Sequence, residues 1–208
     1  MYPQDAILIV IDPQAVRLDA LGEAVRFGIV NNLQGLAKLA RLCVVPIMIT
    51  TDIDAGLVSP DIAEPCGLAY RHERNTASVA DETLFDQLKG LGRRDVIIAG
   101  LVGEAALADA ALIAMRSGYR VHVVTDALSE NAGQISRSGI LRMSGAGIRL
   151  TSWVSLVAEF AAGMAALPDG FDELRCHLDA YMFSEQSEPA GYAPLDYRPM
   201  GGRLGQVA

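Results

Sequence analysis

Residues 95–106 read Asp-Val-Ile-Ile-Ala-Gly-Leu-Val-Gly-Glu-Ala-Ala and decide the fold, because a strand, a turn and the start of a helix follow one another directly. The apolar run at 95–99 predicts a short buried strand, and apolar residues at helical spacing predict a helix over 104–117. Such a turn aims backbone N–H groups and the positive end of the helix dipole at whatever lies above it. Hydrolases with a cysteine or serine nucleophile place it here, since that field favours a thiolate or an oxyanion. The first turn offers only Ala105 and Ala106, so the sequence predicts an active-site arrangement without its reactive atom.

The same alternation of strand and helix continues along most of the chain. A continuous apolar run at 6–11 is typical of a strand buried on both faces of a parallel sheet. Apolar periodicity predicts further strands at 44–50, 120–125 and 148–150 and helices at 22–42, 81–91, 131–145 and 152–164. This pattern predicts an α/β fold, a doubly wound three-layer α/β/α sandwich with a mostly parallel sheet. In such folds ligands bind at the carboxyl ends of the strands.

Two parts of the chain depart from this alternation. Residues 52–80 contain two prolines and two glycines without clear periodicity, and so long a connection is a candidate binding loop. Residues 169–183 predict one more amphipathic helix, which closes a single α/β domain over residues 1–183. Residues 184–208 are rich in Gly, Pro and polar residues and are interpreted as a tail that is either disordered or wrapped on a neighbouring subunit.

Composition restricts the partners and the compartment. The formal net charge of −8 argues against nucleic acid as a partner, because phosphate binding requires a basic surface. The apolar runs are too short to span a membrane, and the first of them lacks the basic leader of a signal peptide. Three widely spaced cysteines fit neither a disulfide framework nor a zinc site, which favours a reducing cytoplasm. No metal and no cofactor is expected.

Asp12 is the first candidate for chemistry, because it directly follows the predicted strand at 6–11. A carboxylate in this position faces the expected ligand crevice and is poorly solvated, so its pKa can rise toward that of a useful general base. It can equally cap the turn before Pro13, which is able to start a helix. Position alone does not decide between the two interpretations.

Several short motifs share a recognisable order. They are Asp12-Pro13-Gln14, the Gly100–Ala106 turn, the strand end Thr125-Asp126, Arg142-Met143, and Thr151-Ser152-Trp153. Together, over about residues 5 to 165, they resemble the isochorismatase-like cysteine hydrolases, most closely a branch of oligomeric hydrolases of unassigned substrate. The resemblance implies a homo-oligomer whose ligand is a small amide or carbonyl compound.

In that family an Asp, a Lys and a Cys form the catalytic triad, and the resemblance carries the Asp onto Asp12. The family turn places the thiol at the position of Ala106 and a threonine at that of Gly103, while its acidic residue is retained as Glu104. Val102, Gly103, Glu104 and Ala105 are therefore expected to bind substrate or to form an oxyanion site. The family commonly has a non-proline cis peptide here, between Val102 and Gly103.

The family lysine is expected in the segment that precedes residue 81, which contains no lysine. His72, Arg71 or Arg74 occupies that region instead, and Arg74 is a candidate for substrate binding. His72 is interpreted either as a solvated loop residue or as a partner of Asp12, and such an acid–base couple can activate water without a covalent intermediate.

These replacements leave several functions open. Three interpretations follow from the resemblance. The chain is interpreted as a family member that has lost thiol catalysis, as an active hydrolase that uses Asp12, His72 and water, or as an engineered Cys-to-Ala form of an active hydrolase. A different class is a dinucleotide-binding protein, because Gly100, Gly103 and Ala106 after a strand, with Asp126 at the end of the next strand, loosely match the dinucleotide fingerprint.

Overall fold

The computed structural model describes residues 1–75, 82–128 and 137–186. Six parallel strands form one sheet in these residues: β1 (Ala6–Ile11), β2 (Ile47–Asp52), β3 (Tyr70–Arg74), β4 (Asp95–Gly100), β5 (Arg120–Leu128) and β6 (Arg149–Thr151). They lie side by side in the order β3-β2-β1-β4-β5-β6. Because the order reverses between β1 and β4, the ligand crevice of such a sheet lies at their carboxyl ends.

Within the described ranges, eight α-helices connect and cover these strands. They are α1 (Ala15–Asp19), α2 (Glu23–Leu42), α3 (Pro60–Cys66), α4 (Glu82–Lys89), α5 (Glu104–Arg116), α6 (Arg137–Gly145), α7 (Trp153–Gly163) and α8 (Arg175–Gln186). Short 3-10 turns lie at Pro3–Asp5, Ile53–Ala55 and Phe171–Leu174. Of the helices that the structure describes, none is both long and apolar enough to cross a membrane.

Two apolar layers lie on opposite faces of the sheet, because successive side chains of a strand point to opposite sides. Leu8 and Val10 of β1 pack with α2, α3 and α7 in one layer. Ile9 and Ile11 pack with α4, α5 and α6 in the other. The predicted three-layer sandwich is confirmed by this arrangement.

Trp153 belongs to the first layer and is a core residue. Its side chain is fully buried, and its ring lies directly over Gly35 of α2. A Cβ at Gly35 would stand 2.8 Å from the ring, so the absent side chain lets the indole reach the helix backbone.

The long connection predicted at 52–80 is wrong in part, since it contains α3 and β3. The strand was missed because it reads Tyr-Arg-His-Glu-Arg, with only His72 and Arg74 buried. It lies at the edge of the sheet, where one strand neighbour and alternating exposure remove the apolar run that marks a central strand. The missed strand carries two of the candidate site residues.

At the C-terminal end the predicted helix over 169–183 is a 3-10 turn followed by α8. The helix continues to Gln186, so residues 184–186 belong to it and not to the tail. The rest of the tail, 187–208, lies outside the described residues, as does the start of the helix predicted at 131–145.

The backbone makes its closest approach where β1 and β4 end. Ile11 and Gly100 are partners in the sheet, and the N–H of Leu101 donates to the carbonyl of Ile11 at 2.8 Å. Gly100 has φ +128°, and a Cβ there would overlap the backbone of Ile11. A glycine is therefore required at this turn, both for its conformation and for its space.

We expect Gly100→Ala to lower the free energy of unfolding by about 3 kcal/mol or more, because backbone strain and an overlap with backbone atoms add. Gly118→Ala is the matched control: φ is +92°, but nothing lies within 4 Å of the added Cβ. The control should cost only about 1 kcal/mol. Urea denaturation measures both variants, and equal losses would contradict the close approach.

Candidate active site

Asp12 is buried where β1 ends, with 2% of its surface exposed. Its φ of +48° is uncommon for a residue with a side chain, and such backbone strain is often found at functional sites. Its Oδ2 accepts a hydrogen bond from Nη2 of Arg74 at 2.5 Å and lies 3.3 Å from Nη2 of Arg17. The carboxylate is thus held between two guanidinium groups, which a residue that only caps a turn does not require.

Burial and charge act on the Asp12 carboxyl in opposite directions. Burial raises its pKa above the ordinary value, and the nearby positive charges of Arg74 and Arg17 lower it by less. Its Oδ1 is buried and accepts no hydrogen bond from any residue that the structure describes. Asp12 therefore offers one oxygen that is fixed by arginine and one that is able to accept a proton or a hydrogen bond from a ligand.

Arg74 ends β3 and is the cation that the structure brings to Asp12. Both side chains of this pair are 3% exposed, so the two charges are paired away from solvent. The sequence placed Arg74 among the substrate-binding candidates, whereas the structure shows it bound to the candidate base. The segment that lacks a lysine thus still supplies a positive charge at Asp12.

His72 lies two residues before Arg74 on the same face of β3, and both are buried. Its sheet partner Thr50 pairs in turn with Ile11, which faces α4 and α5. The interpretation of His72 as a solvated loop residue is wrong, because the strand buries it. Its pairing with Asp12 stays a prediction.

Two further polar side chains near Asp12, those of Arg17 and Asp52, were not predicted from the sequence. Nη2 of Arg17 lies 3.4 Å from Oδ2 of Asp52, so Arg17 bridges Asp12 and Asp52. The buried Gln14 fixes the loop that follows Asp52: its Nε2 donates to the carbonyls of Asp52 and Gly56 at 2.7 and 2.6 Å, and its Oε1 accepts from the N–H of Asp52 at 3.3 Å. The motif Asp12-Pro13-Gln14 contained a signal for Gln14, whereas nothing in the pattern marked Arg17 or Asp52.

The turn from β4 to α5 has the predicted form. Helix α5 begins at Glu104, and Gly103 caps it without a side-chain hydrogen bond. Val102 is buried, Ala105 is exposed, and Ala106 is half-buried against the layer that contains Ile11. The peptide bond between Val102 and Gly103 is trans, so the cis bond implied by the resemblance is wrong.

This turn starts beside Asp12, because Ile11 and Gly100 are paired where the two strands end. The helix N-terminus and the Asp12–Arg74 pair therefore lie at the same edge of the sheet. Glu104 contacts α6, since a Cβ at Gly139 would overlap its carboxylate. In the described ranges 1–75, 82–128 and 137–186, no group of three or more His, Cys, Asp or Glu side chains is arranged to hold a metal ion.

The other two histidines are structural. His122 of β5 contacts Asp95 at 3.1 Å, and Arg120 donates to both oxygens of the same carboxylate. Burial alone would raise the pKa of Asp95, but these hydrogen bonds outweigh it and hold the pKa below the ordinary value. His177 is buried on α8 and contacts Asn31 of α2 at 3.0 Å.

Cys66 is poorly suited to act as a nucleophile. Cys66 ends α3 and is buried, and burial raises the pKa of its thiol to about 11. A thiol with such a pKa is protonated at neutral pH and is not nucleophilic.

Asp126 is the acidic residue that the dinucleotide interpretation requires, but its carboxylate stabilises the start of α7. Its carboxylate accepts from the backbone N–H of Trp153 at 3.0 and 3.3 Å, at the start of α7. The glycine-containing turn also follows β4, whereas the dinucleotide fingerprint follows the first strand. These two features do not favour a dinucleotide site.

Comparison with known proteins agrees with this geometry. Residues 6–155 match the model of the isochorismatase domain. The chain therefore belongs to the isochorismatase family.

Within the family the chain is similar to an Escherichia coli protein named "Probable hydrolase YcaC". The two are 31% identical over 161 residues, which cover 74% of this chain and 77% of that protein. A mouse protein, isochorismatase domain-containing protein 2A, is 29% identical over 132 residues, 63% of this chain and 64% of its own length.

Two solved structures of YcaC proteins resemble the fold. The Pseudomonas aeruginosa protein, with hexane-2,5-diol and covalent acrylamide, superposes with a TM-score of 0.73 at 28% identity, over 90% of this chain and 96% of its own. The E. coli protein, described as an octameric hydrolase of unknown specificity, gives a TM-score of 0.74 at 27% identity, over 90% of this chain and 95% of its own. The chain is a homologue of YcaC-type hydrolases.

The geometry predicts that the Asp12 carboxyl titrates above its ordinary value of 3.8, because burial outweighs the two arginine charges. Carboxyl ¹³C NMR during a pH titration measures this. Arg74→Met should raise the pKa further, because it removes a positive charge that favours the ionised form. Arg74→Lys keeps the charge and serves as the control, which should stay close to the wild type. A carboxyl that titrates at 3.8 or below, or that ignores Arg74→Met, contradicts the described pair.

Proposed function

We propose that this chain binds a small amide or carbonyl compound at the carboxyl ends of β1 and β4, and that it does so without thiol catalysis. One observation carries the proposal. Asp12 keeps a buried cationic partner and a buried oxygen without a hydrogen bond in the described part of the chain, while the helix turn beside it carries Ala106. The binding groups of a hydrolase site are present, and the position of its nucleophile holds a methyl group.

Each retained group has a chemical role toward such a ligand. Oδ1 of Asp12 accepts an N–H of the ligand, and the positive end of the α5 dipole favours the partial negative charge on its carbonyl oxygen. Arg74 keeps Asp12 oriented through Oδ2 and takes the place that the family gives to lysine. A nucleophilic attack that forms a covalent intermediate requires a thiolate, and Ala106 supplies none.

A second candidate function is hydrolysis by water, with Asp12 as the general base and His72 as its partner. Two observations favour it: the pKa of Asp12 is raised, and His72 is buried on the same strand face as Arg74. Incubation of the wild type with amides, lactams and N-carbamoyl compounds tests it. Turnover that is abolished both by Asp12→Asn and by His72→Gln would establish this function. It would overturn the proposal that the chain binds its ligand without catalysis.

The main test installs the thiol. Ala106→Cys should become reactive toward acrylamide, because the α5 N-terminus and Arg74 favour the thiolate. We expect labelling roughly tenfold faster than that of an ordinary exposed thiol, since a pKa lower by one unit raises the thiolate fraction by that factor. The same variant, alone or with Gly103→Thr, should gain slow hydrolysis of small amides.

Ala105→Cys is the matched control, because it places a thiol one residue earlier in the same turn on an exposed position. Peptide mapping by mass spectrometry separates either new thiol from Cys43, Cys66 and Cys176. If Cys at position 106 reacts no faster than Cys at position 105 and no hydrolysis appears, position 106 is not the nucleophile position of this site.

We also propose that the chain forms a homo-oligomer, as the octameric E. coli relative does. Light scattering coupled to size-exclusion chromatography should give a mass that is a multiple of 22.1 kDa. A mass of one chain at micromolar concentration contradicts this proposal and leaves the ligand proposal intact.

A further inference from the structure

Arg17 of α1 touches the candidate base, yet its hydrogen bonds are incomplete. Its Nη2 lies 3.3 Å from Oδ2 of Asp12 and 3.4 Å from Oδ2 of Asp52. Its Nε is buried and donates to no acceptor in the described residues. The side chain as a whole is 38% exposed, so the guanidinium lies at the boundary between the buried pair and solvent.

The unused Nε–H belongs to the edge with which arginine binds carbonyl and carboxyl oxygens. Nε and Nη2 point to one side of the planar group and donate in parallel. Arg120 uses this edge completely: its Nε and Nη2 bind the two oxygens of Asp95 at 2.8 and 2.6 Å. At Arg17 only the Nη2 half of the edge is engaged.

Asp12 carries the complementary group. Its Oδ2 contacts Arg17 and Arg74, and its Oδ1 is buried without a hydrogen bond in the described residues. A buried polar atom without a partner costs free energy, whether it is a donor or an acceptor. Two residues in direct contact therefore each hold one buried atom of opposite character, a donor and an acceptor.

We propose that Arg17 is a specificity-determining residue of this site, which donates from Nε to the carbonyl oxygen of a ligand whose N–H is accepted by Oδ1 of Asp12. The inference rests on the proposed function and narrows its substrate class. Primary amides and ureido groups carry a carbonyl oxygen and an N–H on one carbon, so they satisfy both atoms at once. An ester lacks the donor, and a carboxylate brings a second negative charge to Asp12.

Direct binding measurements with five benzene derivatives test this. Benzamide and phenylurea should bind wild-type protein about tenfold more tightly than N,N-dimethylbenzamide, methyl benzoate or benzoate, since each of these lacks a matching group. Titration calorimetry or ligand-observed NMR gives the dissociation constants. A corresponding series of five smaller molecules, from acetamide to acetate, repeats the comparison.

Arg17→Met should weaken benzamide and phenylurea about tenfold, whereas their remaining preference over N,N-dimethylbenzamide, which reports on Asp12, persists. Arg17→Lys keeps the charge but has no side-on N–H, so it should not restore the affinity. Arg26→Met is the matched control: Arg26 is 41% exposed and also pairs with two carboxylates, those of Asp19 and Asp61. It should leave every affinity unchanged.

The outcomes separate the two proposals. Wild-type protein that binds none of the ten compounds overturns both the proposed function and this inference. Amides that bind equally well to Arg17→Met, or to Arg17→Lys as to the wild type, overturn the role of Arg17 alone. Esters that bind as tightly as amides overturn the donor–acceptor pairing, although a carbonyl-binding site remains.

Discussion

The arrangement of the strand ends around Asp12 depends on the buried ion pair between Asp12 and Arg74. Two charges with only 3% of each side chain exposed are stable in a protein interior only when their geometry is good, because desolvation opposes their attraction. The fold supplies that geometry from two strands that are not neighbours. Asp12 follows β1, Arg74 ends β3, and β2 lies between them. The pair therefore holds the loop end of an edge strand to the centre of the sheet.

A second buried carboxylate in the same sheet, that of Asp95, provides a comparison, because its hydrogen bonds come from protein groups. Asp95 at the start of β4 accepts from Arg120 and His122, so both of its oxygens are engaged by the protein. Asp12 at the opposite end of the sheet uses one oxygen for arginine and leaves the other without a hydrogen bond in the described residues. The contrast between the two carboxylates, rather than either pKa direction alone, supports the proposal that a ligand binds at the carboxyl edge of the sheet.

Much of the fold could be predicted from the sequence, because buried parallel strands are continuous apolar runs. The runs at 6–11 and 95–99 identified β1 and β4, and hence the two positions, Asp12 and the turn at 100–106, that define the site. The edge strand β3 has no such run, since only every second residue is buried. His72 and Arg74 were therefore named as candidates on the basis of a family position and without a strand to carry them. Arg17 of α1 and Asp52 at the end of β2 are brought to Asp12 by tertiary packing, and no spacing along the chain predicts that.

Position 106 lies in the first turn of α5, where alanine is a favourable residue. Alanine has the highest helix propensity, and the half-buried methyl group of Ala106 packs against the layer that contains Ile11. Exchange of a thiol for a methyl at this position is close to neutral for stability in either direction. The proposed loss of thiol chemistry therefore makes little demand on folding, and this scaffold can carry either side chain at position 106.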